Sequence, residues 1–479
     1  MSLIVFILGH LLCALGAAMS VPALVDAAAD HADWQAFVWA GSVTVFIGGA
    51  MIFATRCEHR ALSRSQGFIL TALAWTIIAA FGALPFLFAE LPISIVGAYF
   101  ESMSGLTTTG STVLTGLDNA PPGILLWRSM LQWLGGIGIV VMAIALLPFL
   151  RVGGMQLFQM ESSDKSDKVM PQIKRITLFM CQVYLLMTML CALLLWVAGM
   201  SGFEAINHAM TTLSTGGYST SDDSIGHFKS PAIEWIVVVF MILGSLPFIL
   251  FLKTIFGDRW ALVRDPQVQG LMVVIAGSSV AIALWLSRAT GMAFADAIRL
   301  TVFNVTSVVT TTGYASADYG TWGPMAIGAF FLLMFVGGCT GSTAGGIKVF
   351  RFQILVLALR VYALRLFHPH RAFTPSFGGR AVTFDIMHAV VLFLAVYLVS
   401  VGIIGFALAA MGLDFVTAFS GAATALGNVG PGLGATIGPA GNFATLPEGA
   451  KALLTFAMLL GRLDLFTVLV LLSPDFWRA

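Results

Sequence analysis

The chain has 479 residues, 58% apolar and 10% charged, with a mean hydropathy of +0.93 and a net charge of +1. That composition excludes a soluble globular domain, and so few, balanced charges give no electrostatic basis for binding nucleic acid. It fits an all-α polytopic membrane protein. The five cysteines (Cys13, Cys57, Cys181, Cys191, Cys339) have neither metal-ligand nor CxxC spacing and read as inert packing residues.

An apolar run from Leu3 to Val25 has no basic residue ahead of it, so it reads as a membrane helix and not a cleaved leader. The acidic turn from Asp26 to Asp33 leads into a second run, from about Phe37 to Thr55. These two helices form a preface, residues 1–66, closed by the basic residues Arg56, Arg60 and Arg64.

The rest of the chain uses one plan four times: a long apolar segment, a short amphipathic one, a Thr/Gly turn and another long apolar segment. Repeat one (67–160) has these segments at Gly67 to Phe88, Gly97 to Leu106 and Ile124 to Leu150. Repeat two (161–265) has them at Ile176 to Gly199, Glu204 to Leu213 and Ile233 to Phe256. Repeat three (266–380) runs from Gly270 to Leu286, Asp296 to Val309 and Met325 onwards; repeat four (381–479) from Ile386 to Met411, Asp414 to Leu426 and Leu453 to Leu472. The turns centre on Thr108-Thr109-Gly110, Thr215-Gly216-Gly217, Thr311-Thr312-Gly313 and Asn428-Val429-Gly430, spaced by roughly a hundred residues.

A ten-residue helix is about 15 Å long, half of a hydrocarbon layer of about 30 Å, so each short segment must enter the membrane and return. Non-helical backbone at that depth has to be buried in protein or line a watery cavity. Four such loops around one axis meet that condition together. Glycine lets successive carbonyls turn towards the axis, and carbonyl rings can replace the water shell of a monovalent cation.

This arrangement gives ten crossings with both termini on one side. Most Lys and Arg fall on that side; only Arg128, Lys229, Arg288, Arg299 and Lys451 lie towards the other, and Arg462 sits within a spanning run. The positive-inside rule makes the first face cytoplasmic and puts all four turns in the outer half. Glu204, Asp296 and Asp414 stand near the starts of half-helices, as caps and as complements to the dipole. The partly negative helix ends then face the membrane centre, where they favour cations.

Three further features stand out. Gly337-Gly338-Cys339-Thr340-Gly341-Ser342-Thr343-Ala344-Gly345-Gly346 should break the second long helix of repeat three, either for tight packing or as a functional loop. It is not a Walker A loop, since Ile347 stands where the lysine belongs. Arg462 costs about 2.5–3.5 kcal/mol in mid-membrane and must face a partner or a cavity, with Asp464 or a nearby carbonyl as the packing alternative. Lys348 reads as a snorkelling residue. Gly135-Gly136-Ile137-Gly138 reads as a packing surface, and His368-Pro369-His370 as a solvated loop without further ligands. No grouped nucleophile and base and no HExxH occurs.

Four helix/re-entrant-loop/helix units with turns TTTGST, STGGYS, TTTGYA and GNVGPG resemble the Trk/Ktr/HKT superfamily of potassium transporters, over essentially the whole chain. The preface and the closing run from Leu459 to Trp477 look like its bacterial Trk membrane subunit. The resemblance implies a filter glycine per repeat, at Gly110, Gly217, Gly313 and Gly430. Glycine and not serine at the first of these implies potassium over sodium. It also implies that the Gly-rich segment is a gate under the filter, that Arg462 and Lys348 lie near the pore, and that no covalent cofactor is needed. The expected setting is the bacterial inner membrane, as a homodimer among membrane lipid. Its partner would be a cytosolic TrkA-like subunit binding NAD or adenine nucleotides. Two rivals remain: an ion-coupled carrier with alternating access, which equal orientation of the repeats disfavours, and a lipid-modifying enzyme, which lacks any acid/base or metal set.

Overall fold

The computed structural model describes residues 2–55, 63–146, 169–368, 374–471 and 473–478. Arg56, Arg60, Cys57, Arg151 and His370 lie outside them. The protein is an all-helical membrane fold; the strands among the described residues are two-residue pairs. Seven helices are long and apolar enough to cross a bilayer: Ser2–Ala28, Trp34–Ala54, Ser65–Phe88, Pro122–Met142, Arg175–Val197, Pro266–Thr290 and Phe384–Ala410.

The four expected half-helices form at Ile95–Leu106, Gly202–Leu213, Phe294–Val309 and Phe415–Gly427. Their starts are capped in three different ways. Ser201 and Glu204 form a reciprocal capping box, and the Asp414 carboxylate accepts from the Thr417 N–H (3.1 Å). Ser94 caps the first half-helix by accepting from the Gly97 N–H (3.0 Å). Asp296 is no cap: Ala293 holds that position without a side-chain bond, and Asp296 sits 3.9 Å from Arg299 in the first turn.

Two long helices that read as single spans are sharply bent. In repeat two, Pro231–Gly244 and Phe248–Phe256 meet at 90°, because Pro247 has no N–H to continue the ladder. In repeat four, Glu448–Arg462 and Leu465–Leu471 meet at 109°, with Asp464 in the left-handed region (φ 64°). The corresponding helix of repeat three stops at Leu333 and resumes at Val349, on either side of the Gly-rich segment. Among the described residues, only repeat one keeps a straight, unbroken helix here, Pro122–Leu146.

That straight helix backs the centre of the molecule. A Cβ at Gly135 would overlap the Leu106 carbonyl, and one at Gly136 would meet Ser214, so both glycines let it approach two half-helix ends; Gly138 faces open space. The preface packs outside it. Asp26 is fully buried and accepts from the Gly123 N–H (2.6 Å) at the helix start, while Phe37 lies edge-on to Trp127. The preface helices themselves cross at glycines, Gly9 against Gly48 and Gly16 against Gly41.

Candidate ion pathway

All four half-helices end in the same hydrogen-bonded turn. The N–H groups of Thr108, Thr215, Thr311 and Asn428 bond three residues back, to Gly105, Thr212, Val308 and Ala425 (2.9–3.3 Å). Those of Thr109, Gly216, Thr312 and Val429 bond five back, to Ser104, Thr211, Ser307 and Thr424 (2.8–3.0 Å). This is the Schellman helix ending, whose left-handed residue is usually glycine. Here it is threonine three times and asparagine once, at φ 52°, 53°, 57° and 52°. A β-branched residue in that region costs of order 1–3 kcal/mol, so the strain is repeated at the three threonine turns, while asparagine tolerates the conformation in the fourth.

Two residues beyond each strained position comes a glycine with positive φ: Gly110, Gly217, Gly313 and Gly430. A Cβ on Gly110 would strike the Gly216 carbonyl, and one on Gly217 the Thr312 carbonyl. One on Gly313 would strike the Val429 carbonyl, and one on Gly430 would lie 2.8 Å from the Thr109 carbonyl. The contacts run from repeat one to two, three, four and back to one. The four turns therefore form a closed ring with no room for a side chain. A cavity of about 300 Å³ is lined by all four glycines together with Ser111, Thr112, Arg128, Tyr218 and Asp222.

The turns are not all braced alike. Thr107 and Thr109 pair their hydroxyls at 2.8 Å, as do Thr310 and Thr312. Asn428 donates from Nδ2 to the Thr109 hydroxyl and the Met458 carbonyl, both at 3.0 Å, and so ties repeat four to repeat one. Ser111 donates to the Gly430 carbonyl (2.7 Å). The Thr108 hydroxyl is buried without a partner among the described residues.

Behind the ring lies an ion pair that the sequence reading passed over. Glu101, inside the first half-helix, is fully buried against Arg128 (Oε1 to Nε, 2.8 Å) and accepts from the Thr112 hydroxyl and the Val113 N–H. Arg128 donates to the Ser219 carbonyl (2.9 Å) and lies 4.0 Å over the Tyr218 ring, joining repeats one and two. An acid within an apolar half-helix was the available signal. Glu101→Gln leaves a buried guanidinium without its counter-charge, a change worth about 3–5 kcal/mol. The expected result is a clearly lowered melting temperature in detergent; an unchanged one would show that the pair carries no structural weight.

The Gly-rich segment folds directly against the ring. Its ends pair in parallel, Val336 with Ile347 and Gly337 with Lys348. The Cys339 N–H donates to the Ser245 carbonyl (3.0 Å), the Thr343 N–H to Gly244 (3.2 Å), and the Phe248 N–H to Gly341 (3.0 Å). The segment thus satisfies the backbone groups freed by the bend in repeat two, as backbone at membrane depth requires. The Gly345 N–H donates to the Thr311 hydroxyl (2.7 Å), Thr215 and Thr343 are joined through their hydroxyls (3.2 Å), and a Cβ on Gly345 would meet the Gly427 carbonyl. Three of the four turns are touched from this side.

Arg462 is buried and donates from Nη1 to the Thr343 carbonyl (2.8 Å); Nε and Nη2 have no partner among the described residues. Of the two packing alternatives the carbonyl is found and the acid is not. Asp464 pairs instead with Arg351 (2.6 Å), which lies 3.6 Å over the Phe393 ring. Lys348 does not snorkel: it is half-buried and its ammonium bonds back to the Ala344 carbonyl. Among the described residues, no three His, Cys, Asp or Glu are grouped to hold a metal ion.

Seven spanning helices, two bent spans and a closed ring of four re-entrant turns define a polytopic membrane protein of the pore-loop class. The profile of the TrkH family, described as a cation transport protein, matches residues 33–478. The chain belongs to that family; it is a transport protein and not an enzyme. It is 46% identical to the Trk system potassium uptake protein TrkI of Halomonas elongata over 461 residues, 96% of this chain and 94% of that one. It is 38% identical to the Trk system potassium uptake protein TrkH of Escherichia coli over 483 residues, 98% of each chain. A crystal structure of the potassium transporter TrkH from Vibrio parahaemolyticus superposes with a TM-score of 0.91 at 35% identity, covering 99% of each chain.

Proposed function

We propose that this chain is the membrane subunit of a Trk-type potassium uptake system and that K⁺ is the transported ion. Dehydrated K⁺ passes through the ring of Thr108, Thr109 and Gly110, Thr215, Gly216 and Gly217, Thr311, Thr312 and Gly313, and Asn428, Val429 and Gly430. The observation that carries this reading is the cyclic contact of the four glycines with their neighbours' carbonyls. The partly negative ends of four half-helices converge on it and favour a cation over an anion. The segment from Gly337 to Gly346, touching three turns and held by Arg462, acts as the gate.

A negative-inside potential of 100 mV supplies about 2.3 kcal/mol per charge, so uptake needs no nucleotide site in this chain. Nucleotide control would come from a cytosolic TrkA-like partner binding NAD or adenine nucleotides. It would dock on the basic cytoplasmic face of a homodimer in a bacterial inner membrane, with both termini of each chain on the cytoplasmic side. The test is ⁸⁶Rb⁺ or K⁺ uptake by potassium-uptake-deficient cells expressing the chain, with and without such a partner. Restored uptake that Na⁺ competes with poorly is expected; no uptake in either case would overturn the reading.

A further inference from the structure

Repeat two has glycine, Gly216, where repeats one and three have Thr109 and Thr312. Those threonines brace their turns from within, through the hydroxyl pairs with Thr107 and Thr310. Repeat two keeps the first hydroxyl, on Ser214, and lacks the second. The space is taken by Gln132, from the straight helix of repeat one: a Cβ on Gly216 would overlap the Gln132 amide.

Gln132 is fully buried. Its Nε2 donates to the Gly216 carbonyl (2.6 Å) and its Oε1 accepts from the Tyr218 N–H (3.0 Å). One side-chain amide thus holds both peptide planes that flank Gly217. In a trans peptide the N–H and C=O point in opposite directions. With the Tyr218 N–H turned onto Gln132, the Gly217 carbonyl is turned away from the Gln132 amide. Tyr218 is also fixed at its far end, where its phenol donates to the Glu101 carbonyl (2.8 Å). Among the described residues no other side chain clasps both peptides of a ring glycine, and in repeat four the place of Tyr218 is taken by Pro431, which has no N–H.

We propose that Gln132 is a positioning residue for ion selectivity: it aims the Gly217 carbonyl, so that the second quarter of the ring takes its geometry from repeat one. The inference rests on the ring being the filter. Discrimination between K⁺ and Na⁺ depends on the number and field of the carbonyl dipoles a bare ion meets. A carbonyl released to tilt therefore degrades preference before it stops flux.

The experiment measures ⁸⁶Rb⁺ uptake and its inhibition by Na⁺ in potassium-uptake-deficient cells, with the amount and monodispersity of purified protein as controls. Gln132→Met keeps the shape and removes both bonds; its Rb⁺/Na⁺ preference should fall about fivefold or more. Gln132→Ala combined with Gly216→Thr empties the amide's place and supplies a hydroxyl beside Ser214, so preference should return to within about twofold of wild type. A pure space-filling role would leave the preference of Gln132→Met unmoved, and that result overturns the inference. So does a well-assembled double variant no more selective than Gln132→Ala alone. Should Gln132→Met fail to accumulate, the double variant decides. Wild type that moves no Rb⁺ with or without a cytosolic partner refutes the filter reading itself, an outcome distinct from normal wild-type transport with unchanged Gln132 variants.

Discussion

Gly217→Ala should reduce K⁺ uptake more than tenfold without loss of the protein from the membrane, while Gly291→Ala should leave uptake near wild type. The two glycines have almost the same left-handed φ, 77° and 72°. They differ in what a methyl group would meet: the Thr312 carbonyl at Gly217, and nothing within 4 Å at Gly291. Overpacking costs about 1–3 kcal/mol, and a factor of ten corresponds to about 1.4 kcal/mol. Displacing Thr312 moves the turn of repeat three as well, so the damage crosses to a second side of the ring. Equal uptake by the two variants, measured at matched protein levels, would mean that the ring contacts do not govern conduction.

Arg462→Ala should raise Rb⁺ flux about tenfold in cells lacking any cytosolic partner, with Arg462→Lys between it and wild type. A hydrogen bond from a charged donor contributes about 1.5–3 kcal/mol, and here it holds the Thr343 carbonyl of the Gly-rich segment against the ring. The same substitution removes a buried positive charge from beside the proposed cation pathway, so both effects act in one direction. Flux that stays level or falls, at equal expression, would remove Arg462 from the gate.

The half-helices were legible because their ends carry a written signal. An amphipathic segment too short to span, followed by Thr and Gly, fixes three C-termini to the residue, at Leu106, Leu213 and Val309. The equivalence of Asn428 to the threonines was visible only as a loose match, and its φ of 52° supplies the reason: asparagine tolerates the left-handed region. The bends were harder. Pro247 marks the first, but the apolar run continues through it. The second falls at Leu463-Asp464, where no proline or glycine stands. The partners of Gln132 and Arg462 lie across repeats, and side-chain-to-backbone bonds of that range leave no local pattern. Asp296 was misread for the opposite reason: an acid in the first helical turn looks like a cap whether or not it reaches the free N–H groups.

The unequal bracing of the turns has a genetic consequence. A pore assembled from four copies of one gene product changes all its sides with any mutation, so a substitution that helps in one place is forced on the other three. Here the Thr-Thr pairs, the Gln132 clasp and the Asn428 bridge are encoded at separate codons. Variation can therefore change the bracing one side at a time, and a lost brace can be replaced on its own side without touching the other three, as Gly216→Thr is expected to do for the loss of Gln132.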